Sequence, residues 1–259
     1  MIANARMYAV TPQAEAAWEA LFRRVSADSG VELEYVRHPY PAPVADLWLR
    51  PGLGCAFMCG WPFVRGVADV EPVAAPLPIG AAGPRYWSDL VVAADGPARS
   101  LDDTEGGRVA YTLRDSQSGF SAFRAHLRDR GGPRYAEEVG PLVTPRLVIE
   151  AVADGRADIG PVDSYAHALL RRHDPALAGR VRVIARTAPT PIPLLVASRG
   201  ADPAASARLR AALLALRDPA LLEPLELHGF ADPLPLAEYR RMEERALDAE
   251  AAGVSSLLL

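Results

Sequence analysis

The sequence predicts an α/β protein in two lobes, on three observations. Strand-like and helix-like segments alternate along most of its 259 residues, which marks strand–helix units on mainly parallel sheets. At a rough prior of ~150 residues per domain, this length holds one large domain or two smaller ones. Two apolar strands, Leu90 to Ala93 and Leu194 to Ser198, each lie beside a Pro/Gly-marked break and bracket a middle segment with its own strand–helix set. A chain that leaves one lobe and returns through paired strands has two crossovers. The expected first lobe is 1–89 plus 193–259, and the second is 90–192.

The first unit opens with a strand-like run, Ala5 to Val10. Thr11 is placed to cap a helix entered through Pro12, with Ala16, Ala17, Ala20, Leu21 and Val25 at helical spacing. Val31 to Val36 alternates with period two and reads as a strand with one wet face. A short helix follows around Val44 to Leu49, and Cys55 to Cys59, apolar on both faces, reads as a central strand. Pro72 to Pro84 reads as a proline-rich connection before the strand Tyr86 to Ala93. Arg108 to Thr112 is strand-like, Asp115 to Gly119 is a polar loop of small residues, and Phe120, Phe123, Ala125 and Leu127 begin a helix. Helices at Arg146 to Gly155 and Ser164 to His173 flank a strand at Ala157 to Val162. The remaining expectations are strands at Val181 to Ala185 and Leu194 to Ser198 and helices at Ala204 to Leu216 and Leu236 to Ala251.

Composition excludes several classes. Half the residues are apolar and 23% charged, so disorder, collagen and coiled coil do not fit. The net charge of −4 and the lack of a basic tract argue against a nucleic-acid partner. No apolar run reaches membrane-spanning length, so no direct membrane insertion is expected, and the N-terminus shows no secretory signal pattern. Cys55 and Cys59 read either as a disulfide or as two buried thiols, without the further ligands that a zinc site needs. No metal or cofactor is expected. Proline, 24 of 259 residues, is well above the average of ~5% and gathers before both crossovers.

Three segments carry a resemblance: Tyr86-Trp87-Ser88-Asp89-Leu90-Val91-Val92, Asp115-Ser116-Gln117-Ser118-Gly119-Phe120, and Ala151 through Asp158-Ile159-Gly160-Pro161-Val162-Asp163-Ser164-Tyr165. In order and spacing, over roughly residues 5 to 200, the chain resembles the phosphate/phosphite/phosphonate substrate-binding proteins of ABC transporters. These have the type II periplasmic-binding-protein fold, two lobes around a cleft. The resemblance implies mixed, mostly parallel sheets flanked by helices, two hinge crossovers and a periplasmic location, while the lack of a signal pattern leaves the cytoplasm as the alternative.

Ser116-Gln117-Ser118-Gly119 opens a helix, where unpaired N–H groups, small hydroxyls and a glycine suit an oxyanion. A plain helix cap by Ser116 or Ser118 is the alternative. The resemblance implies ligand binding, with Gln117 where the family has Thr, so that a carboxylate is allowed beside a phosphonate. Asp163 closes a strand at the end where open α/β sheets bind ligands, or caps the Ser164 helix. The family holds an amino group on an acid there, yet Thr144-Pro145-Arg146 and Thr190-Pro191-Ile192-Pro193 depart from its histidine and second acid, which counts against an aminoalkylphosphonate. Tyr86 and Trp61 read as ring covers for a small ligand or as packing. Arg65 is a candidate anion partner or a solvated loop residue, and His38, before Pro39, a cleft or surface histidine.

No catalytic signature is present: no Gly-x-Ser-x-Gly elbow, phosphate-loop lysine motif, His-Glu-x-x-His or Gly-x-Gly-x-x-Gly behind a strand. The expected function is capture of a small anionic or zwitterionic metabolite, phosphonate-like, phosphate-like or carboxylate, by hinge closure. The chain would act as a monomer or weak dimer with an ABC permease. The alternative is an enzyme on the same fold, resembling chorismate dehydratases or thiamine-pyrimidine enzymes; a sensor lobe of LysR type ranks last.

Overall fold

A computed structural model describes residues 1–132, 134–200, 202–251 and 256–258. By its contacts the chain divides into two units, Met1–Arg85 with Pro191–Tyr239, and Tyr86–Thr190 with Arg240–Leu259.

The first unit is built on a six-stranded sheet in the order Leu227–Ala231, Val70–Pro78, Leu194–Ser198, Leu53–Met58, Ile2–Asn4, Glu34–Tyr35. Its first helix, Pro12–Ser29, starts as the sequence predicts: the Thr11 side chain accepts from the Ala14 N–H, proline occupies the first turn, and Gly30 ends it in the left-handed region at φ 65°. Its buried face carries Trp18, Leu21, Phe22 and Val25. Trp18 meets the central strand edge to face at Phe57, ring centres 5.0 Å apart, and Tyr8 meets the same ring at 4.9 Å; such pairs add about 0.5–1.5 kcal/mol each beyond area burial. Cys55 and Cys59 are free thiols, and burial pushes the Cys55 thiol up to about 12.

Three expectations change here. The first strand is Ile2–Asn4, while Ala5 to Val10 turns back, with the Tyr8 N–H donating to Ala5 O. Asn4 fixes that turn by donating from Nδ2 to Val36 O and accepting the Arg6 N–H. Pro72, Pro76 and Pro78 belong to the strand Val70–Pro78 and not to a loop. One half of this strand pairs with Leu194–Ser198 and the other with Leu227–Ala231, so each half keeps an open edge where residues lacking an N–H are tolerated. Pairing is also less parallel than expected: Leu194–Ser198 runs antiparallel to both neighbours, and parallel pairing in this sheet is confined to the partners of Ile2–Asn4.

The second unit centres on the strand Ser88–Ala93, antiparallel to Val181–Arg186 on one side and Gly160–Asp163 on the other. A short parallel pair, Arg108–Ala110 with Glu137–Val139, joins it through the Val109–Ile159 bridge. The core gathers Leu90, Val92, Val109, Phe120, Phe123, Leu127, Tyr135 and Ile159 with Leu257. The helices Pro145–Ala153 and Ser164–His173 carry side-chain caps from Thr144 and Asp163.

The C-terminal residues depart from the expected lobe 193–259. The helix Leu236–Ala251 passes from the first unit to the second after Tyr239. Arg124, 2% exposed, donates from Nη2 to Ala246 O at 3.3 Å and lies 3.4 Å from Glu250 Oε1. Its guanidinium sits over the Phe120 ring, and Leu257 is fully buried in the same core. These contacts bind distant stretches of sequence, which periodicity does not register. Of the tail, residues 252–255 and 259 lie outside the described residues.

Deleting residues 240–259 is expected to raise amide hydrogen exchange in peptides from 86–190, around Phe123 and Tyr135, and to leave peptides from 1–85 near their intact rates. Equal acceleration in both sets would contradict the assignment of the tail to the second unit.

Candidate functional site

The polar loop after Thr112 enters its helix through a wide turn. The Ser121 N–H donates to Ser116 O at 3.0 Å, five residues back, so Gln117–Ser121 is a π-helical turn that runs on into the helix Ala122–Arg130; such turns recur at functional sites. Ser116 is its N-cap, and its Oγ accepts the Gly119 N–H at 3.0 Å. The amides of Gln117 and Ser118 precede the first helical bond and so have no helix carbonyl to donate to. With the partial positive charge of a helix N-terminus they make a seat for an anion.

Gly119 is required by crowding, not by backbone angle. A Cβ there would lie 1.8 Å from Thr112 Oγ1 and 2.8 Å from Thr112 Cβ. The two residues also share a backbone bond, Thr112 N–H to Gly119 O at 3.3 Å. Behind the turn, Ser88 Oγ donates to Ser118 O at 2.7 Å, and the Ser88 N–H donates to Thr187 Oγ1 at 2.9 Å.

Asp163 ends its strand beside this turn and is 7% exposed. Its Oδ1 accepts the N–H groups of Tyr165 and Ala166 at 2.9 and 3.0 Å, and Ser118 Oγ donates to its Oδ2 across 3.4 Å. The capping reading of Asp163 holds, and its other oxygen faces Ser118 of the turn. Ser164 is tied in turn to Trp87, accepting its N–H at 3.1 Å and donating its own N–H to Trp87 O at 2.9 Å.

The next strand residue, Asp89, points to the opposite side and holds the Asp163 helix from below. Asp89 and His167 are 1% and 2% exposed, with Oδ2 and Nδ1 2.8 Å apart. Trp87 Nε1 donates to Asp89 Oδ1 at 2.9 Å, and Arg186 Nε lies 3.3 Å from the same oxygen. Burial raises the Asp89 pKa, but the His167 hydrogen bond and charge, with Trp87 and Arg186, outweigh it and hold the carboxyl below its usual value. Ser88, Asp89, Thr112 and His167 are site residues that sequence reasoning missed. The signal was two adjacent polar residues, Ser88 and Asp89, in a strand otherwise apolar, each facing a different side.

Of the predicted site residues, Ser116, Ser118, Gly119 and Asp163 come together. Gln117 shares the turn, but its side chain lines a cavity on another face of the helix. Tyr86 is 2% exposed at the start of the second unit. Trp61, His38 and Arg65 belong to the first unit. There, Arg65 is stacked 4.6 Å over the Trp61 ring, and His38 Nε2 lies 2.8 Å from Pro43 O, within its own proline loop. Arg114, two residues before the seat, pairs with Glu138 and stacks on Tyr111 and Phe120. Arg146, near the place where the resemblance looks for a histidine, is held by Asp174 at 2.5 Å. The turn therefore offers backbone amides and hydroxyls, and the two nearby arginines, Arg114 and Arg146, are paired with acids. Among the described residues no group of three or more His, Cys, Asp or Glu is placed to hold a metal ion, and no helix is long and apolar enough to cross a membrane.

A mixed α/β chain in two units, with an anion seat at a helix start beside the end of a strand, defines a solute-binding architecture. Residues 9–239 match the family of periplasmic substrate-binding proteins of phosphonate ABC transporters, and the chain belongs to that family. No curated protein sequence matches it. Among solved structures it is similar to a binding protein component of an ABC phosphonate transporter from Pseudomonas aeruginosa, with 17% identity and a TM-score of 0.79 over 97% of this chain and 88% of that one. It is also similar to PhnD1 of Prochlorococcus marinus in complex with methylphosphonate, at 14% identity and a TM-score of 0.81 over 96% and 98%. A third is MatC of Rhodopseudomonas palustris with bound malate, at 15% identity and a TM-score of 0.62 over 99% and 98%. These likenesses show the type II periplasmic-binding-protein fold. The family is one of solute-binding proteins of transport.

Two stability measurements check the geometry. Gly119→Ala is expected to cost about 1–3 kcal/mol in chemical denaturation, and Thr112→Gly to recover most of it; a neutral Gly119→Ala contradicts the close approach. Asp89→Asn is expected to destabilise by about 3 kcal/mol or more at pH 7 by leaving His167 and Arg186 without their carboxylate. Because the folded Asp89 pKa is depressed, its contribution is present above the unfolded value of about 3.9 and is lost as pH falls through the lower folded value. The deficit should therefore shrink below about pH 4; a pH-independent deficit contradicts the ion pair.

Proposed function

We propose that the protein captures a small oxyanion, phosphonate-like or carboxylate, on the Ser116–Gly119 turn in the periplasm and delivers it to an ABC permease. The observation that supports this most directly is the helix start itself. Gln117 and Ser118 present backbone N–H groups, Ser116 caps the turn, and Thr112 leaves room for glycine alone at 119. Family membership gives the transport role, and methylphosphonate and malate in matched structures give the ligand chemistry.

Asp163 narrows the class. A carboxylate one hydroxyl away from the seat repels a fully ionised dianion and accepts from a ligand O–H. A monoanion that still carries a hydroxyl, either a singly protonated phosphonate or a hydroxy acid, meets both groups. Asp163 Oδ1 accepts two backbone N–H groups and Oδ2 the Ser118 hydroxyl, and a carboxylate that accepts a ligand O–H accepts a ligand ammonium as well. The anionic and the zwitterionic ligands expected from sequence are both compatible with it.

Calorimetric titration with methylphosphonate, phosphate and malate tests this. At least one should bind, and methylphosphonate or phosphate should bind more weakly as the second proton leaves at rising pH. Asp163→Asn, which still caps its helix, should remove that pH dependence. No heat from any of the three, or a pH profile unchanged in Asp163→Asn, overturns the assignment.

A further inference from the structure

Within the second unit, the helical run from Gln117 borders a cavity of about 70 Å³ on a face away from Ser118 and Asp163. Gln117, Ser121 and Ala125 recur every four residues on that face, and Met242, Arg245 and Ala246 of the C-terminal helix close the other side. Two buried polar atoms on this wall, Ser121 Oγ and His126 Nε2, have no hydrogen-bond partner among the described residues. Ser121 is 1% exposed and Gln117 5%. A native core rarely leaves such groups unmet, since each costs about 1–3 kcal/mol.

The charge of the wall is balanced. Arg245 Nη2 donates to Asp129 Oδ2 at 2.7 Å, so the two ionised groups on the wall satisfy each other. Burial, with Arg130 and Arg245 nearby and only Asp129 opposing, favours the neutral form of His126. What remains is a set of uncharged groups, the Gln117 amide, the Ser121 and Thr190 hydroxyls and the His126 ring nitrogen, set among alanine methyls and Met242. The space equals roughly five waters. One molecule with an apolar body and a polar head meets both kinds of surface, its head at the buried Ser121 and His126 atoms and its body along the alanines.

We propose that this cavity is a second binding site, for a small uncharged molecule of about five non-hydrogen atoms that carries an amide or hydroxyl head. The head bonds Ser121 and Gln117, and the body lies against Ala125, Ala246 and Met242. The site is independent of the ligand assigned to the Ser116–Gly119 turn, although it shares that helix.

The test is an NMR titration of the ¹⁵N-labelled full chain with propionamide, and with propionate as its charged counterpart of equal size. Propionamide is expected to give saturable shifts at the amides of Ser121, His126 and Ala246 in the millimolar range usual for so small a ligand, and propionate shifts at least about tenfold weaker. Ala125→Leu, which fills the cavity, should abolish these shifts and leave any phosphate response at Ser118 and Gly119 intact. Should that variant not fold, Ser121→Ala should weaken propionamide several-fold without lowering the thermal midpoint. No saturable shift, equal response to propionate, shifts that persist in the filled variant or are unweakened in the hydroxyl-less one, or a soaked crystal that shows only water in the cavity would each overturn the proposal.

Discussion

Two neighbouring residues on one buried strand hold the two helix starts that make the candidate site. Ser88 Oγ fixes the carbonyl of Ser118, at the opening of the anion-seat helix. Asp89, facing the other way because successive strand residues alternate, binds His167 and through it the helix capped by Asp163. The 3.4 Å approach of Ser118 to Asp163 depends on both anchors. A shift of either helix by one hydrogen-bond length would separate the hydroxyl from the carboxylate, so the chemistry of the seat is set by a strand that lies beneath it.

Polarity in this unit is managed by pairing, in the core at Asp89 and on the surface in half-exposed pairs such as Arg245–Asp129 and Arg108–Asp158. Asp89 answers to four donors or cations, Arg124 is covered by the C-terminal helix, and Arg245 closes on Asp129. A buried charge that loses its partner costs far more than an exposed one. Against this background, the hydroxyls of Ser121 and Thr112 stand out as buried polar groups without a partner among the described residues.

Elements marked by local signals are legible in the sequence, and those set by distant contacts are not. The helix Ser164–His173 and the strand Leu194–Ser198 fall on the expected residues, because a cap or a tight apolar run marks their ends within a few positions. Thr11, Pro12 and Gly30 likewise frame the first helix. Val70–Pro78 was hidden because its prolines argue against a strand unless the partner switch halfway along it is known. The tail was assigned to the other unit because amphipathic spacing says which face is buried and not against what; Arg124 and Leu257 decide that. In the site, small residues at a helix start were legible at Ser116–Gly119. The roles of Thr112, Asp89 and His167 come from approaches between segments far apart in sequence.

The central claim is that an anion rests on the backbone at the start of the Gln117 helix. A crystal structure of the protein grown with methylphosphonate tests it most directly. The account predicts phosphonate oxygens within hydrogen-bond distance, about 2.7–3.2 Å, of the Gln117 and Ser118 amides, with Asp163 facing the oxygen that keeps its proton. Phosphonate bound elsewhere on the chain, with those two amides left to water, would contradict it.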